Sequence, residues 1–172
     1  MDNKRICNLE QDYFNDFWNL YNKSFPFIER RDLKQQASAF DNSAFNLVSF
    51  YEEDKYLGFL AFWDFPSYIY LEHFAINEDL RGGGYGTKIL SELIEEKDKV
   101  IILEIDPIED EQSRRRLSFY KKMGFVQNDF DYKVQSYQNK EEFYELIIMS
   151  SVRKISKDEL DIFRTDFVNE II

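Results

Sequence analysis

The order of segments along this 172-residue chain predicts a single α/β domain, a mixed sheet with helices packed on its faces. Three observations carry that expectation. Phe45 to Tyr51 and Tyr56 to Trp63 are β-rich runs separated by Glu52-Glu53-Asp54-Lys55, which reads as a hairpin. Val100 to Ile105, VIILEI, is a near-continuous apolar run of the kind found in a central strand covered on both faces. Stretches with apolar residues at helical spacing join the later strands. A hydrophobic content of 44% over this length supplies one good core, so one domain is expected over residues 1–172.

The elements follow in order. Lys4 to Cys7 reads as a short first strand, and Glu10 to Tyr21 carries Phe14, Phe17, Trp18 and Tyr21 at helical intervals before Ser24-Phe25-Pro26 ends it. Arg30 to Phe40 is a second helix, stopped at Asp41-Asn42-Ser43 ahead of the hairpin. Tyr68 to Ile76, YIYLEHFAI, is a strand, and Thr87 to Glu96 is a helix with Ile89, Leu90, Leu93 and Ile94 on one side. After Pro107 closes the VIILEI strand, Ser113 to Met123 reads as a helix stopped by Gly124, the residue that best tolerates a left-handed cap. Phe125 to Gln135 and Phe143 to Ser150 are expected as two strands, separated by the polar Tyr137 to Glu142. Ser156-Lys157-Asp158-Glu159 matches a capping box that opens a last helix over residues 157–168.

A net charge of -11 argues against a nucleic-acid partner, because phosphate backbones select basic faces, and it suits a cationic substrate better. Cys7 is the only cysteine and His73 the only histidine, so no intrachain disulfide and no cysteine-rich or two-histidine metal site is expected. Neither a leader-like apolar stretch near Met1 nor a run long enough for a membrane span is present, and a cytoplasmic, membrane-free protein is the expectation.

Between the Tyr68–Ile76 strand and the next helix lies Arg81-Gly82-Gly83-Gly84-Tyr85-Gly86-Thr87. Amides at a helix start lack intrahelical partners and carry the positive end of the dipole, so this loop is placed to cradle a phosphate. An ordinary turn would be satisfied by one glycine, and each further one costs roughly 0.5 to 1 kcal/mol relative to alanine, so close approach of a ligand explains the run better. A nucleotide P-loop fails, since Gly86-Thr87-Lys88 has the wrong order, and a dinucleotide fingerprint fails because Ile89 stands where its last glycine belongs.

The pattern met by Arg81, Gly84 and Gly86, Arg-x-x-Gly-x-Gly, resembles the phosphate signature of the GNAT superfamily of acyl-CoA-dependent N-acetyltransferases. Leu117-Ser118-Phe119-Tyr120-Lys121-Lys122-Met123-Gly124-Phe125 is similar to the family's later helix, in family order and with Val100 to Ile105 between the two motifs. The resemblance is close over roughly Tyr56 to Gln127. It implies a mixed, mostly antiparallel twisted sheet of about six to seven strands with helices on both faces, in which splayed central strands form an acetyl-CoA cleft. It further implies that Arg81 to Thr87, with Gly82, Gly83, Gly84, Tyr85 and Gly86 between them, hold the pyrophosphate, and that Phe74, Ala75 and Ile76 line the acetyl and pantetheine arm. Tyr120 would be the acid that protonates the leaving sulfur, and Ser113 stands where many members place a cofactor-contacting asparagine. The implied activity is direct transfer of acetyl to a primary amine of a small molecule or peptide, without a metal; the alternative is a non-catalytic acyl-CoA-binding sensor or interaction module. The oligomeric state is left open, a dimer included.

For the base, Glu72 and Glu104 are acids inside otherwise apolar strands, a costly placement unless paired or used. By alternation Glu72 shares a face with Tyr70 and Phe74, and Glu104 with Ile102 and Asp106. Either could be the base, either could pair with Arg114, Arg115 or Arg116, or an ordered water could serve instead. His73 should point away from Glu72 and Phe74 and pack against a helix. Arg114 to Arg116 read as solvated or paired with local acids such as Asp110 and Glu111, and Phe25, Phe27, Trp63, Phe65 and Tyr68 as candidate walls of an acceptor pocket.

Overall fold

A computed structural model describes residues 1–172. Strand β1 (Asp2–Ile6) is followed by helices α1 (Phe14–Ser24) and α2 (Leu33–Asp41). The first helix starts later than its apolar spacing suggests, because Gln11 ties the approach down. Its side chain accepts from the Cys7 amide and donates to the Arg5 carbonyl, both at 2.8 Å. Strands β2 (Phe45–Glu52) and β3 (Lys55–Asp64) form the expected hairpin. Glu53 and Asp54 both take positive φ, 49° and 64°, the two-residue turn whose twist matches that of the strands.

Next come β4 (Tyr68–Ile76), α3 (Tyr85–Glu96), β5 (Val100–Ile105) and α4 (Glu111–Lys122). The run expected as one strand after α4 is broken into β6 (Phe125–Gln127) and β7 (Lys133–Gln135). Buried Asn128 breaks it: its side chain donates to Ser150 Oγ and accepts from the Ile155 amide, both at 2.9 Å, fixing a corner. The Phe143 to Ser150 run is likewise split, into β8 (Phe143–Glu145), which pairs only with β7, and β9 (Ile147–Ser151). Helix α5 (Lys157–Asp166) has the expected Ser156–Glu159 capping box and passes into a π-helical turn over Phe167–Ile171. No helix is long and apolar enough to cross a membrane.

The main sheet has seven strands in the order β1-β2-β3-β4-β5-β9-β6, antiparallel throughout except for the parallel pair β4 and β5. Helices α1, α2 and α5 cover one face through Phe17, Ala39 and Phe163, against Leu47, Trp63 and Tyr70. Helices α3 and α4 cover the other through Ile89, Leu90 and Tyr120, against Ile69, Leu71 and Leu103.

Two irregularities of β4 shape the centre. Its ladder with β5 runs from Tyr68 opposite Val100 to Leu71 opposite Leu103 and stops, after which β4 stays with β3 and β5 with β9. At that point Ala61 pairs with His73 and Phe62 with Leu71, so Glu72 is the extra residue of a β-bulge. A bulge reverses the alternation, and this corrects the expected facing. Phe74 and Ile76 join the α3/α4 side rather than sharing a face with Glu72, while His73 and Ala75 join Tyr70 on the α1/α5 side.

Gly58 of β3 pairs with Ile76 and has no space for a side chain: a Cβ there would lie 2.2 Å from the Ala75 carbonyl oxygen. Gly58→Ala is expected to push β3 off β4 and cost about 1–3 kcal/mol, seen as a lower urea midpoint with an unchanged slope.

Candidate active site

Where β4 and β5 part, a cleft of about 570 Å³ opens. Phe74, Ala75 and Ile76 line it from β4, and Leu103 and Glu104 from β5. The glycine loop closes one end, and α4 supplies Gln112, Arg115, Phe119 and Tyr120. The cleft therefore brings together every residue assigned to catalysis or the cofactor except Gly83 and Ser113; of the candidate acceptor walls only Phe25 lines it, while Trp63, Phe65 and Tyr68 are packed in the core and Phe27 is exposed.

The loop is built for external acceptors. Gly82 and Gly84 take φ of 84° and 80°, a left-handed conformation that glycine adopts without strain. Gly83 spends its amide on the Leu80 carbonyl at 3.2 Å, which tightens the turn. The amides of Gly82, Gly84, Tyr85, Gly86 and Thr87 have no acceptor in the chain, and no side chain caps α3. Helices α2, α4 and α5 each carry a complete capping box, so α3 stands apart from them. Gly86 also lets the helix approach β4, since a Cβ there would already touch Ile76 and Phe119 at 3.5 and 3.6 Å.

Ser113 lies in the cap of α4. Its hydroxyl accepts from the amides of Glu109 and Asp110 at 3.1 Å and bonds the Asp110 carboxylate at 2.9 Å. The neighbouring Gln112 reaches the cleft instead. Tyr120 packs edge-on against Phe119 and Phe125, with centroids 5.2 and 5.6 Å apart, and burial pushes its phenol up to about 12. At neutral pH it keeps its proton and can donate it.

The two strand carboxylates have opposite surroundings. Glu72 pairs with buried Arg31, whose Nη1 donates to Oε2 at 2.9 Å and Nη2 to Oε1 at 2.5 Å. Trp63 Nε1 also donates to Oε2 at 2.9 Å, and the Tyr137 hydroxyl donates to Oε1. Burial alone would raise this carboxyl, but Arg31, helped by His73, outweighs it and holds Glu72 far below the ordinary carboxylate value. Glu104 has no cation beside it and accepts from the hydroxyls of Tyr70, at 2.6 Å, and Tyr132. Burial pushes it up to about 7, the tyrosine hydrogen bonds offsetting only part of the rise. A carboxyl poised there can take a proton near neutrality, whereas one saturated like Glu72 is a poor acceptor.

The arginine run on α4 pairs with neither. Arg115 bonds Glu111 and Arg116 bonds Asp106, so the expected partner of Glu72 is replaced by Arg31. His73 is packed, as anticipated, edge-on to Tyr21 and Phe25 at 4.9 and 4.6 Å. The bulge nevertheless turns it toward Glu72, with Nδ1 3.8 Å from Oε2, rather than away. Arg31, Tyr132 and Tyr137 escaped the sequence reading: their roles arise from contacts across 28 to 65 positions, and no local signal marks them.

Comparison with known proteins agrees with this geometry. Residues 5–125 match the profile of the Acetyltransferase (GNAT) family, and the chain belongs to that family. YjbC of Bacillus subtilis (strain 168), which carries an acetyltransferase name, is 35% identical over 68 residues, 38% of this chain. The match spans only 35% of that relative's length. A GNAT-family protein from Bacteroides thetaiotaomicron superposes with a TM-score of 0.88 at 28% identity, over 99% of this chain and 98% of the other. An aminoglycoside 6'-N-acetyltransferase complexed with coenzyme A shares the fold, with a TM-score of 0.62 at 14% identity over 91% of this chain and all of the other (100%).

Arg31→Met should strand Glu72 as a buried, unpaired charge and cost about 3–5 kcal/mol, much of it regained in Arg31→Met/Glu72→Gln. Because the folded Glu72 carboxyl lies below its usual value of 4.5, its contribution is present above that pH and lost as pH falls beneath it. Denaturant titrations at pH 7 and pH 4 check both, and the double variant should show the shallower acid loss.

Proposed function

We propose that this protein is an acetyl-CoA-dependent N-acetyltransferase that transfers acetyl directly to a primary amine of a small molecule or peptide. The observation that carries the reading is the row of unpaired amides at the start of α3, opening into the cleft whose walls hold Tyr120 and Glu104. Those amides, with Arg81, fit a pyrophosphate: glycine leaves them uncovered, and the dipole of α3 favours negative charge. Residues Phe74 to Ile76 have no partner strand on the β5 side, which leaves backbone groups of that edge for the pantetheine arm. Gln112 is proposed to reach the cofactor from the position next to Ser113. The coenzyme-A complex of the aminoglycoside enzyme on the same fold supports this choice of cofactor.

Bound acetyl-CoA supplies an activated acetyl thioester. The chain's own residues manage the protons. Glu104 takes a proton from the incoming ammonium, directly or through a water, which frees the lone pair for attack on the acetyl carbon. Tyr120 gives its proton to the departing sulfur. The attacking nitrogen then gives up its second proton, which passes through water to the ionised Tyr120 and leaves a neutral amide, while Glu104 releases the proton it took to solvent. Glu72 serves as a fixed charge that holds the bulge beside them.

Thiol release from acetyl-CoA over a panel of amines tests the reading. Wild type should show acceptor-dependent release, and Tyr120→Phe should lower kcat about 100-fold or more with coenzyme A binding retained. Coenzyme A binding without release from any amine would favour the sensor. A Glu104 carboxyl raised to about 7 accepts a proton only once ionised, so kcat/KM should rise through about pH 7. Glu104→Gln should remove that limb.

A further inference from the structure

A smaller chamber, about 60 Å³, runs on from the cleft and shares Phe25, Glu72, Glu104 and Arg116 with it. Tyr137, Tyr144 and Phe167 line the part that the cleft does not share. All three follow residue 125, where the match to the family profile ends.

Four carboxylates line this space, Glu29, Glu72, Glu104 and Asp106. Glu72 is paired with Arg31 and Asp106 with Arg116, whereas Glu29 and Glu104 have no cation. Glu104 has two tyrosine hydroxyls and no positive partner, and the half-buried Glu29 carboxylate has neither an ion pair nor a hydrogen bond. His73, buried on the same wall, bonds the Glu29 carbonyl through Nε2 at 2.9 Å and leaves Nδ1 without a hydrogen-bond partner. Carboxylates removed from water without a counter-charge are costly, and aromatic faces beside them favour a cation. The carboxyls show that unmet demand: burial raises Glu29 to about 7, with the Asp106 charge adding to it, and Glu104 to about 7.

We propose that this chamber is the acceptor subsite and takes a short aliphatic diamine, one amine at Glu104 facing the cleft and the second ammonium held by Glu29 and Asp106. The division of walls sets this order. Glu104 belongs to both spaces, whereas Glu29 and Asp106 line the chamber alone. The reacting nitrogen therefore sits at the junction, and the other charge lies inward among Tyr137, Tyr144 and Phe167. The small volume favours an unbranched linker over an amino-acid residue with its side chain. The inference rests on the acetyltransferase reading for its chemistry, yet its recognition can be measured without turnover.

Calorimetry on the protein saturated with coenzyme A, titrated with 1,4-diaminobutane and with 1-aminobutane, provides the test. The diamine should bind at least about tenfold more tightly, the scale of one added charge pair, and Glu29→Gln and Asp106→Asn should each reduce that preference to about threefold or less. Thermal unfolding of each variant confirms that it is folded. Equal binding of the two amines, a preference that survives in both variants, or tighter binding of a short peptide than of the diamine would overturn the proposal. Thiol release is read separately. If no amine supports release but the diamine preference is present and lost in the variants, the transferase reading fails and the subsite stands. If both amines support release equally and bind equally, the subsite fails and the transferase reading stands.

Discussion

The buried pair of Arg31 and Glu72 is the contact on which the centre of the molecule depends. Glu72 is the extra residue of the β4 bulge, placed where β4 leaves β5. Arg31 arrives from the turn before α2, Trp63 from β3 and Tyr137 from the segment after β7, and Arg31 also lies 3.5 Å from the Ile171 carbonyl near the chain's end. Its guanidinium stands over the rings of Phe45, Trp63 and Tyr137, between 5.1 and 5.5 Å from their centroids, which restores part of what desolvation takes. A bulge inserts one residue that has no ladder partner and could slip along the strand. Locking its carboxylate with four hydrogen bonds from three side chains removes that freedom, and with it any ambiguity over which side of the sheet Phe74 and Ile76 face.

That lock has an electrostatic consequence. Two carboxyls on neighbouring strands titrate on opposite sides of their ordinary value, because one is given a cation and the other only hydroxyls. Glu72 stays ionised, and its charge adds to the burial that lifts Glu104. Separating two acids in this way lets one hold structure and the other exchange a proton at neutral pH. Had Arg31 stood between them, both would be low and neither would be useful as a base.

Local features of the sequence were legible to the residue. Strands β4 and β5 have the boundaries their apolar patterns give, and the glycine run sits between strand and helix as its composition requires. The hairpin turn and the last capping box follow from short-range chemistry in the same way. What alternation could not supply was its own interruption: nothing in YIYLEHFAI distinguishes Glu72 as a bulge from Glu72 as a regular strand position. The single strand expected over Phe125 to Gln135 failed for a related reason. Asn128 breaks it only because Ser150 and Ile155 are there to bond its side chain. Ser113 lies in the cap of α4 and not on the cleft because a cap competes for a hydroxyl, and that competition depends on where α4 begins.

The gap between β4 and β5 also joins the two faces of the sheet, and this orders the chemistry. Phe74, Ile76, Tyr120 and α3 belong to one side, whereas Glu72, Glu104, His73 and Tyr137 belong to the other or to the gap. The proposed phosphate-bearing cofactor needs only backbone amides at one helix start, a requirement that a seven-residue stretch can meet. The opposite side is closed by α1, the α2 approach, the β7–β8 segment and the turn after α5, each from a distant part of the chain. Its shape is set by long-range packing around Arg31, so small changes in those segments can alter what fits without disturbing the amide cradle. The ion pair that fixes the bulge thus stands between the proposed cofactor half, specified locally, and the proposed acceptor half, specified by the whole fold.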